Sequence, residues 1–347
     1  MERETMNILV DAMGGDNAPK AIVEGCIEAI NKKEGFNITL VGNSDTIQSI
    51  LATKKFDTSR VSLVHASEVI TGEDVPTKAI RGKKDSSMVV GLRMLKEKKV
   101  DAFISAGNTG ALMTGALLIV GRIKGIDRPS LPALVPSRKG MTLIIDAGMN
   151  TVCRPINYLQ FAQMGSLYMK LLYGLDRPKV GLLNVGSEDK KGNDSIKQAF
   201  ATLEESDEIN FIGNVEGNGI PKGVADVVVS DGFVGNIALK TYEGAGAFFV
   251  SELKDIFTAN IITKICYLLI KPTFKGFKKK IDPDELPGAP VLGVNGLVIK
   301  SHGSSGAKAI RNCILKRAIP LVQNNVVEVI RNNFQDKEVD LADDDTN

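Results

Sequence analysis

Tryptophan is absent and aromatic residues make up only 5% of the chain, which leaves little surface on which nucleic-acid bases could stack. The formal net charge is +2, so no basic excess argues for a nucleic-acid partner either. There are two histidines, His65 and His302, and four cysteines, Cys26, Cys153, Cys266 and Cys313, with no short spacing among them. A zinc site needs closer Cys and His spacing, and the cysteines read as reduced core thiols of a cytosolic protein. No run reaches the roughly 18 apolar residues that a membrane-spanning helix requires, and the N-terminus enters a strand near Asn7 without a signal-peptide pattern. Three familiar catalytic signatures are missing as well. Gly14-Gly15 is not a dinucleotide fingerprint, no P-loop occurs, and no G-x-S-x-G elbow marks a nucleophilic serine.

What is present is an alternation. Ten apolar segments read as strands: Asn7–Asp11, Phe36–Val41, Val61–Val64, Val100–Ser105, Ala133–Val135, Met141–Ile145, Lys179–Leu183, Ile209–Ile212, Asp226–Val229 and Leu297–Lys300. Nearly all hand over to a turn rich in Gly, Asn, Asp or Ser, and most then to a helix. Such alternation predicts an α/β fold, a mainly parallel sheet covered by helices on both faces, over residues 1–334 as a single domain. In such sheets the turns after the strands share one edge, and ligands bind there.

The turn Ala106-Gly107-Asn108-Thr109-Gly110 is the most pointed of them. Glycines let the backbone approach a ligand, and the amides at a helix start have no internal partner, so the turn reads as an anion cradle. It reads also as a tight turn that simply needs glycine. The other strand ends supply Asp11, Gly14, Gly15 and Asp16, then Asp146 and Asn150, Asn184 and Glu188, Asn214, Asp231 and Asn236. The stretch Pro76–Ser87 carries Lys78, Arg81, Lys83 and Lys84 and reads either as a solvated loop ending in a helix cap or as an anion clamp. This inventory of neutral donors, a few carboxylates and lysines suits a nucleophilic anion held and aimed, better than activation of a protein nucleophile.

Two segments stand apart. Residues 248–281 combine apolar residues at helical spacing, Phe257, Ile261, Ile262, Ile265, Leu268 and Leu269 among them, with lysines such as Lys264, and from Ile256 to Ile281 there is no acid. That composition fits a projecting helix on an anionic membrane surface or a dimer helix with a basic end, limited by Pro272. The tail 335–347 is acidic and poor in apolar residues, the signature of disorder.

Seven segments in order then resemble one family. Asp11-Ala-Met-Gly-Gly-Asp16-Asn-Ala-Pro19, Arg81-Gly-Lys-Lys-Asp-Ser-Ser-Met88, Ser105-Ala-Gly-Asn-Thr-Gly-Ala111, Gly181-Leu-Leu-Asn-Val-Gly186, Gly213-Asn-Val-Glu-Gly217, Ser230-Asp-Gly-Phe-Val-Gly-Asn236, and Val294-Asn-Gly296 through His302-Gly-Ser-Ser are similar to the phosphate acyltransferase (PlsX) family of bacterial phospholipid synthesis. The resemblance implies an isocitrate/isopropylmalate dehydrogenase-like α/β/α fold and a homodimer. It implies a reaction of acyl-[acyl carrier protein] with inorganic phosphate, without cofactor or metal. The acyl phosphate product would pass to a membrane glycerol-3-phosphate acyltransferase, the protein being cytoplasmic and held peripherally on the inner face of the cell membrane. Phosphate is then expected on the amides of Asn108–Gly110, bordered by Gly107 and Thr109, with Arg81, Lys83 or Lys84 in reach. Asn108 is expected to take part directly, Asn184 or backbone amides to hold the oxyanion, and Lys190, Lys191 or His302 to assist the departing thiolate. Arg122, Lys124 and Arg128 offer either a dock for the acidic carrier protein or a solvated face. The rival readings are a CoA-dependent phosphate acetyl- or butyryltransferase, a nicotinamide-dependent dehydrogenase on the related fold, and a non-catalytic membrane scaffold.

Overall fold

A computed structural model describes residues 5–335; the acidic tail beyond Gln335 lies outside them. Among the described residues eleven strands form: β1 Met6–Asp11, β2 Phe36–Gly42, β3 Val61–His65, β4 Ala102–Ser105, β5 Ala133–Ser137, β6 Gly140–Ile145, β7 Lys179–Asn184, β8 Asn210–Glu216, β9 Val227–Val229, β10 Ala289–Pro290 and β11 Leu297–Lys300. All ten expected strands are among them, because each is an apolar run bounded by turn residues. Their partnering differs from the expectation of one sheet. One sheet runs β10-β11-β4-β1-β2-β3 and a second β5-β6-β9-β7-β8. The chain correspondingly divides into two compact units. The first holds residues through Pro132, then 163–177 and those from Leu286 on; the second holds 133–162 and 178–285. Pro129 and Pro132 flank the passage out of the first sheet, and a proline has no N–H with which to extend a ladder.

In the first unit β11, β4, β1, β2 and β3 are mutually parallel, and β10 closes the edge antiparallel. β4 is buried along its whole length and β1 over its last four residues, so this sheet centre is core. The helix Lys20–Lys32 buries Ile22, Val23, Cys26 and Ile30, and the helix Ser87–Lys96 buries Met88, Val89 and Leu92. Ser86 caps the latter, accepting from the Val89 amide at 3.3 Å. The first half of the cationic stretch is not the solvated loop of the plainer sequence reading. Pro76–Gly82 is a helix, with Pro76 in the first-turn position that tolerates it.

In the second unit β6, β9, β7 and β8 are parallel and β5 pairs antiparallel with β6. Val135, Ile144, Leu183, Val215, Ile220 and Val228 form its core. Gly213, expected as the turn after a short strand, lies within β8. Its φ of +90° accompanies a register shift opposite Val180 and Leu182, a bulge that lets the strand run on to Glu216.

Residues 248–281 fall in two helices, Gly232–Thr258 and Ile261–Ile281, joined at the Asn260 cap. Pro272 does not limit the second helix, which continues through it to Ile281. An interior proline costs about 3 kcal/mol. Across the two helices the Phe257 ring meets those of Tyr267 at 5.4 Å and Phe274 at 5.6 Å, and within the second helix Tyr267 and Phe274 meet at 5.6 Å. At about 1 kcal/mol per pair beyond their burial, these contacts offset a cost of that size. Phe257 therefore faces the partner helix. Ile261, Ile262, Lys264, Ile265, Leu268 and Leu269 are exposed. Cys266 on the same helix is exposed too, and only Cys26, Cys153 and Cys313 are core thiols. Among the described residues no helix is long and apolar enough to cross a membrane.

Candidate active site

In the first unit the C-terminal ends of β11, β4 and β1 lie side by side, with Lys300 opposite Ser105 and Ile104 opposite Val10. Asp11 ends β1 as a buried carboxylate, accepting from Ser105 Oγ at 2.7 Å and from the Met13 amide at 3.1 Å. Burial pushes its carboxyl above the usual carboxylate range, and hydrogen bonds from Ser87, Ser105 and the Met13 and Gly14 amides oppose that rise. Asp11 thus organises turns rather than presenting a charge to a ligand. Gly14 lies backbone to backbone on Gly107: a Cβ on Gly14 would sit 2.7 Å from Gly107 N. Gly15, at φ +101°, would place one 2.9 Å from Gly303 O. The Asp16 amide donates to Gly303 O at 2.8 Å and Asn17 Nδ2 to Ser304 O at 3.0 Å. These bonds tie the turn after β1 to the turn after β11.

Asn108 differs from its expected role. Its Oδ1 accepts from the Ala111 amide at 3.0 Å, capping the helix Thr109–Gly115. Its Nδ2 donates to Thr71 O at 2.9 Å and Asp74 O at 3.1 Å. Both ends of the amide are committed, so the side chain fastens the loop 71–74 and has no hydrogen left for a reacting group. The backbone behaves as the cradle reading requires. The Gly107 amide turns back to Ser105 Oγ at 3.1 Å, while those of Asn108, Thr109 and Gly110 have no partner among the described residues.

The cations sort differently from one another. Lys83 Nζ is bound to Asp74 Oδ2 at 2.6 Å and Val69 O at 2.9 Å, so it braces the same loop. Lys83 and then the Thr71 amide hold the Asp74 carboxyl below the usual range. Arg81 and Lys84 are exposed, with no ion pair among the described residues. His302 is exposed, and its Nδ1 accepts from the Ser304 amide at 3.3 Å beside Ser304 Oγ at 2.8 Å. A backbone N–H can only donate, so the neutral ring carries its proton on Nε2 and presents a donor there.

Lys300 was not expected. It ends β11 half-buried, donating from Nζ to Ala106 O at 3.3 Å and to Ser301 O. Burial draws its ammonium down to about 8, against the pull of Asp16 and Asp11 in the other direction. The signal was a lysine closing the apolar run Leu297-Val-Ile-Lys300 just before Ser-His-Gly-Ser-Ser.

In the second unit the strand ends are largely committed to their own turns. Asp146 is buried and accepts from the Asn150 amide at 2.6 Å and Asn150 Nδ2 at 2.9 Å. The Gly232 amide donates to Asn150 O at 2.6 Å. Asp231 caps the helix from Gly232 through the Val234 amide at 2.8 Å and accepts from Tyr158 OH at 3.4 Å. Burial, and then the Asp231 charge, raise the Tyr158 phenol above its ordinary value. Asn236 is exposed, its amide oxygen 3.5 Å from where a Cβ on Gly148 would lie. Asn184 does not fit the oxyanion role. Its Nδ2 donates to Lys191 O and to Asn214 Oδ1, both at 3.1 Å, and Asn214 Nδ2 reaches Glu188 O at 2.8 Å. This pair pins the loop that carries Glu188, Lys190 and Lys191, all exposed. Lys191 Nζ lies 3.8 Å from Glu188, and Lys190 has no partner among the described residues.

The family described as fatty acid synthesis protein matches residues 6–329. The chain belongs to that family. It is 56% identical over 340 residues to a phosphate acyltransferase of Acetivibrio thermocellus, covering 98% of this chain and 100% of that one. A phosphate acyltransferase of Clostridioides difficile is 48% identical over 96% of this chain and 97% of its own. Among solved structures, a phosphotransacetylase from Streptococcus pyogenes aligns with a TM-score of 0.60 at 15% identity, over 93% of this chain and 94% of that one. The EutD phosphotransacetylase from Staphylococcus aureus aligns at 0.56 and 15%, over 92% and 94%. At such identity these two speak for the α/β fold alone.

Proposed function

We propose that this member of the family, an enzyme, transfers the acyl group of acyl-[acyl carrier protein] to inorganic phosphate. The observation that carries the site assignment is the set of free peptide N–H groups at Asn108, Thr109 and Gly110, held open by the Gly14–Gly107 contact and by the Asn108 clamp. Phosphate bound there presents an oxygen to the thioester carbonyl. The P–O–C bond forms as the carbonyl becomes a tetrahedral oxyanion. Its collapse breaks the C–S bond, and the proton of hydrogen phosphate ends on the departing thiol. The reaction needs no external acid in sum, so the protein's part is positioning and charge. His302 Nε2–H, in the turn tied to Gly15 and Asp16, is suited to donate to the phosphate or to the leaving sulfur. Asn184, Asn214, Asp146 and Asn150 act as the scaffolding of their turns, and Lys190 is left free on its loop to meet an anionic partner.

The hairpin supports a second part of the reading. Ile261, Ile262, Ile265, Leu268 and Leu269 are exposed beside Lys264 and Lys271 with no acid from Ile256 to Ile281. An anionic membrane surface suits that combination, and so does a second copy of the chain. The acyl phosphate would be released beside a membrane acyltransferase.

The test is direct. Purified protein with palmitoyl-[acyl carrier protein] and phosphate, trapped with hydroxylamine, yields hydroxamate in proportion to phosphate. No hydroxamate from the carrier-protein substrate, with turnover of palmitoyl-CoA instead, would transfer the assignment to the CoA-dependent alternative.

A further inference from the structure

Lys300 is a half-buried cation whose hydrogen-bond partners are two carbonyls, Ala106 O and Ser301 O. No carboxylate forms an ion pair with it among the described residues. Asp16, Asp11 and Cys313 are the titratable groups acting on it, and all act at longer range. An ammonium drawn out of water without a paired anion is unfavourable, and the depressed titration to about 8 expresses that. The ammonium is also placed with purpose. Its carbonyl partner Ala106 opens the turn whose amides at Asn108, Thr109 and Gly110 are free, and its other partner, Ser301, opens the turn that carries His302. Peptide N–H groups orient an anion but bring no net charge. A doubly charged nucleophile needs a cation that is already fixed when it arrives, so that nothing has to reorganise during transfer. Arg81 and Lys84 are exposed and Lys83 is spent on Asp74.

We propose that Lys300 is the charge that binds the attacking phosphate in the Ala106–Gly110 turn. This rests on the reading of phosphate as acyl acceptor. With two of its hydrogens given to Ala106 O and Ser301 O, the ammonium has one N–H left. That N–H and the positive charge hold one phosphate oxygen while another attacks, and the group stays protonated throughout, so it belongs to binding and not to proton transfer. The carbonyls of Ala106 and Ser301 fix its direction, which makes their two turns a single phosphate subsite.

The full-length protein is compared with Lys300→Met and Lys300→Arg. Two readouts are used: initial rates against phosphate and against palmitoyl-[acyl carrier protein], and the rise in melting temperature with inorganic phosphate alone. Lys300→Met should raise KM for phosphate tenfold or more, leave KM for the carrier-protein substrate within about twofold, and abolish the phosphate-dependent thermal shift. In the wild type KM for phosphate should climb above pH 8 as the ammonium is lost. Lys300→Arg should keep part of the binding and lose that climb, since a guanidinium stays charged there. A Lys300→Met enzyme with unchanged phosphate KM and unchanged thermal shift overturns the proposal. Should that variant not fold, Lys300→Gln is read in its place, and an unchanged phosphate KM with an unchanged thermal shift in that variant also overturns the proposal. A wild-type protein that makes no acyl phosphate, yet is stabilised by phosphate through Lys300, would refute the reading of function and leave the subsite standing.

Discussion

Replacing Asn108 by aspartate separates the two tasks of this side chain. The cap survives, since a carboxylate oxygen can still accept from the Ala111 amide now bound at 3.0 Å. The two N–H donors are lost, and in their place an oxygen faces the carbonyls of Thr71 at 2.9 Å, Gly72 at 3.3 Å and Asp74 at 3.1 Å. Two neutral hydrogen bonds are worth roughly 2 kcal/mol, and leaving the opposing carbonyls unmet adds about 1–3 kcal/mol. A negative charge at a helix start returns only about 0.3–1 kcal/mol. The net of roughly 3 kcal/mol should lower the population of the closed 71–74 loop about a hundredfold. Hydrogen exchange reads this at the Thr71 and Asp74 amides, which are bound to Asp74 Oδ2 at 2.7 Å and to Thr71 O at 3.4 Å. Both should lose protection by about that factor, while the amides of β4 keep theirs. Asn108→Ser keeps a capping oxygen without the charge, so it should free the loop less and disturb phosphate KM less. Unchanged exchange at Thr71 and Asp74 in the aspartate variant would refute the assignment of Asn108 as a fastener.

Gly14→Ala should cost about 1–3 kcal/mol of stability and most of the activity, because its Cβ meets Gly107 backbone at 2.7 Å and the Asp11 carboxylate at 2.6 Å; a denaturation midpoint like the wild type's would count against that packing. His302→Ala should lower kcat about a hundredfold, the loss typical of one preorganised donor, with Gln recovering part of it and phosphate KM little changed; equal rates for Ala and wild type would remove His302 from the chemistry. Native protein at pH 8 should react with a thiol reagent at Cys266 and not at Cys313, whose thiol burial has pushed up to about 12, as peptide mapping after labelling would report. Charging the hairpin by Ile262→Asp and Leu269→Asp should abolish flotation with anionic vesicles while leaving hydroxamate formation from soluble substrate intact; retained flotation would assign that face to another partner.

Much of the molecule was legible locally. Strand and turn alternation fixed the secondary structure because burial on both faces of a parallel sheet demands continuous apolar runs, while the polar ends of those runs divide between the edges of two sheets. The turn Ala106–Gly110 stood out for the same reason, since its glycines serve a close approach of backbone to something. The fates of the individual polar side chains were not legible. Asn108, Asn184 and Lys83 look like ligand contacts in sequence because Asn and Lys are the chemistry of anion sites. Each turned out to be taken by carbonyls or carboxylates between 7 and 37 residues away in the chain. A side chain's hydrogens go to whichever acceptor folding brings near, and the chain order does not say which that is.

The sequence by itself determined the α/β class, nearly every strand, the glycine-lined turn and the basic apolar character of 248–281, which follow from composition and short-range pattern, and the resemblance of seven ordered segments pointed to the family. Only the tertiary structure decided that the strands divide between two sheets and that Gly213 is a bulge inside β8. It also decided that Phe257 turns to Tyr267 and Phe274 while Pro272 is carried within a helix, and that Lys300 gives its hydrogens to the carbonyls of Ala106 and Ser301. Those outcomes depend on which distant segment supplies the neighbour. Packing and hydrogen-bond satisfaction choose that neighbour across the whole fold, beyond the reach of any local window of residues.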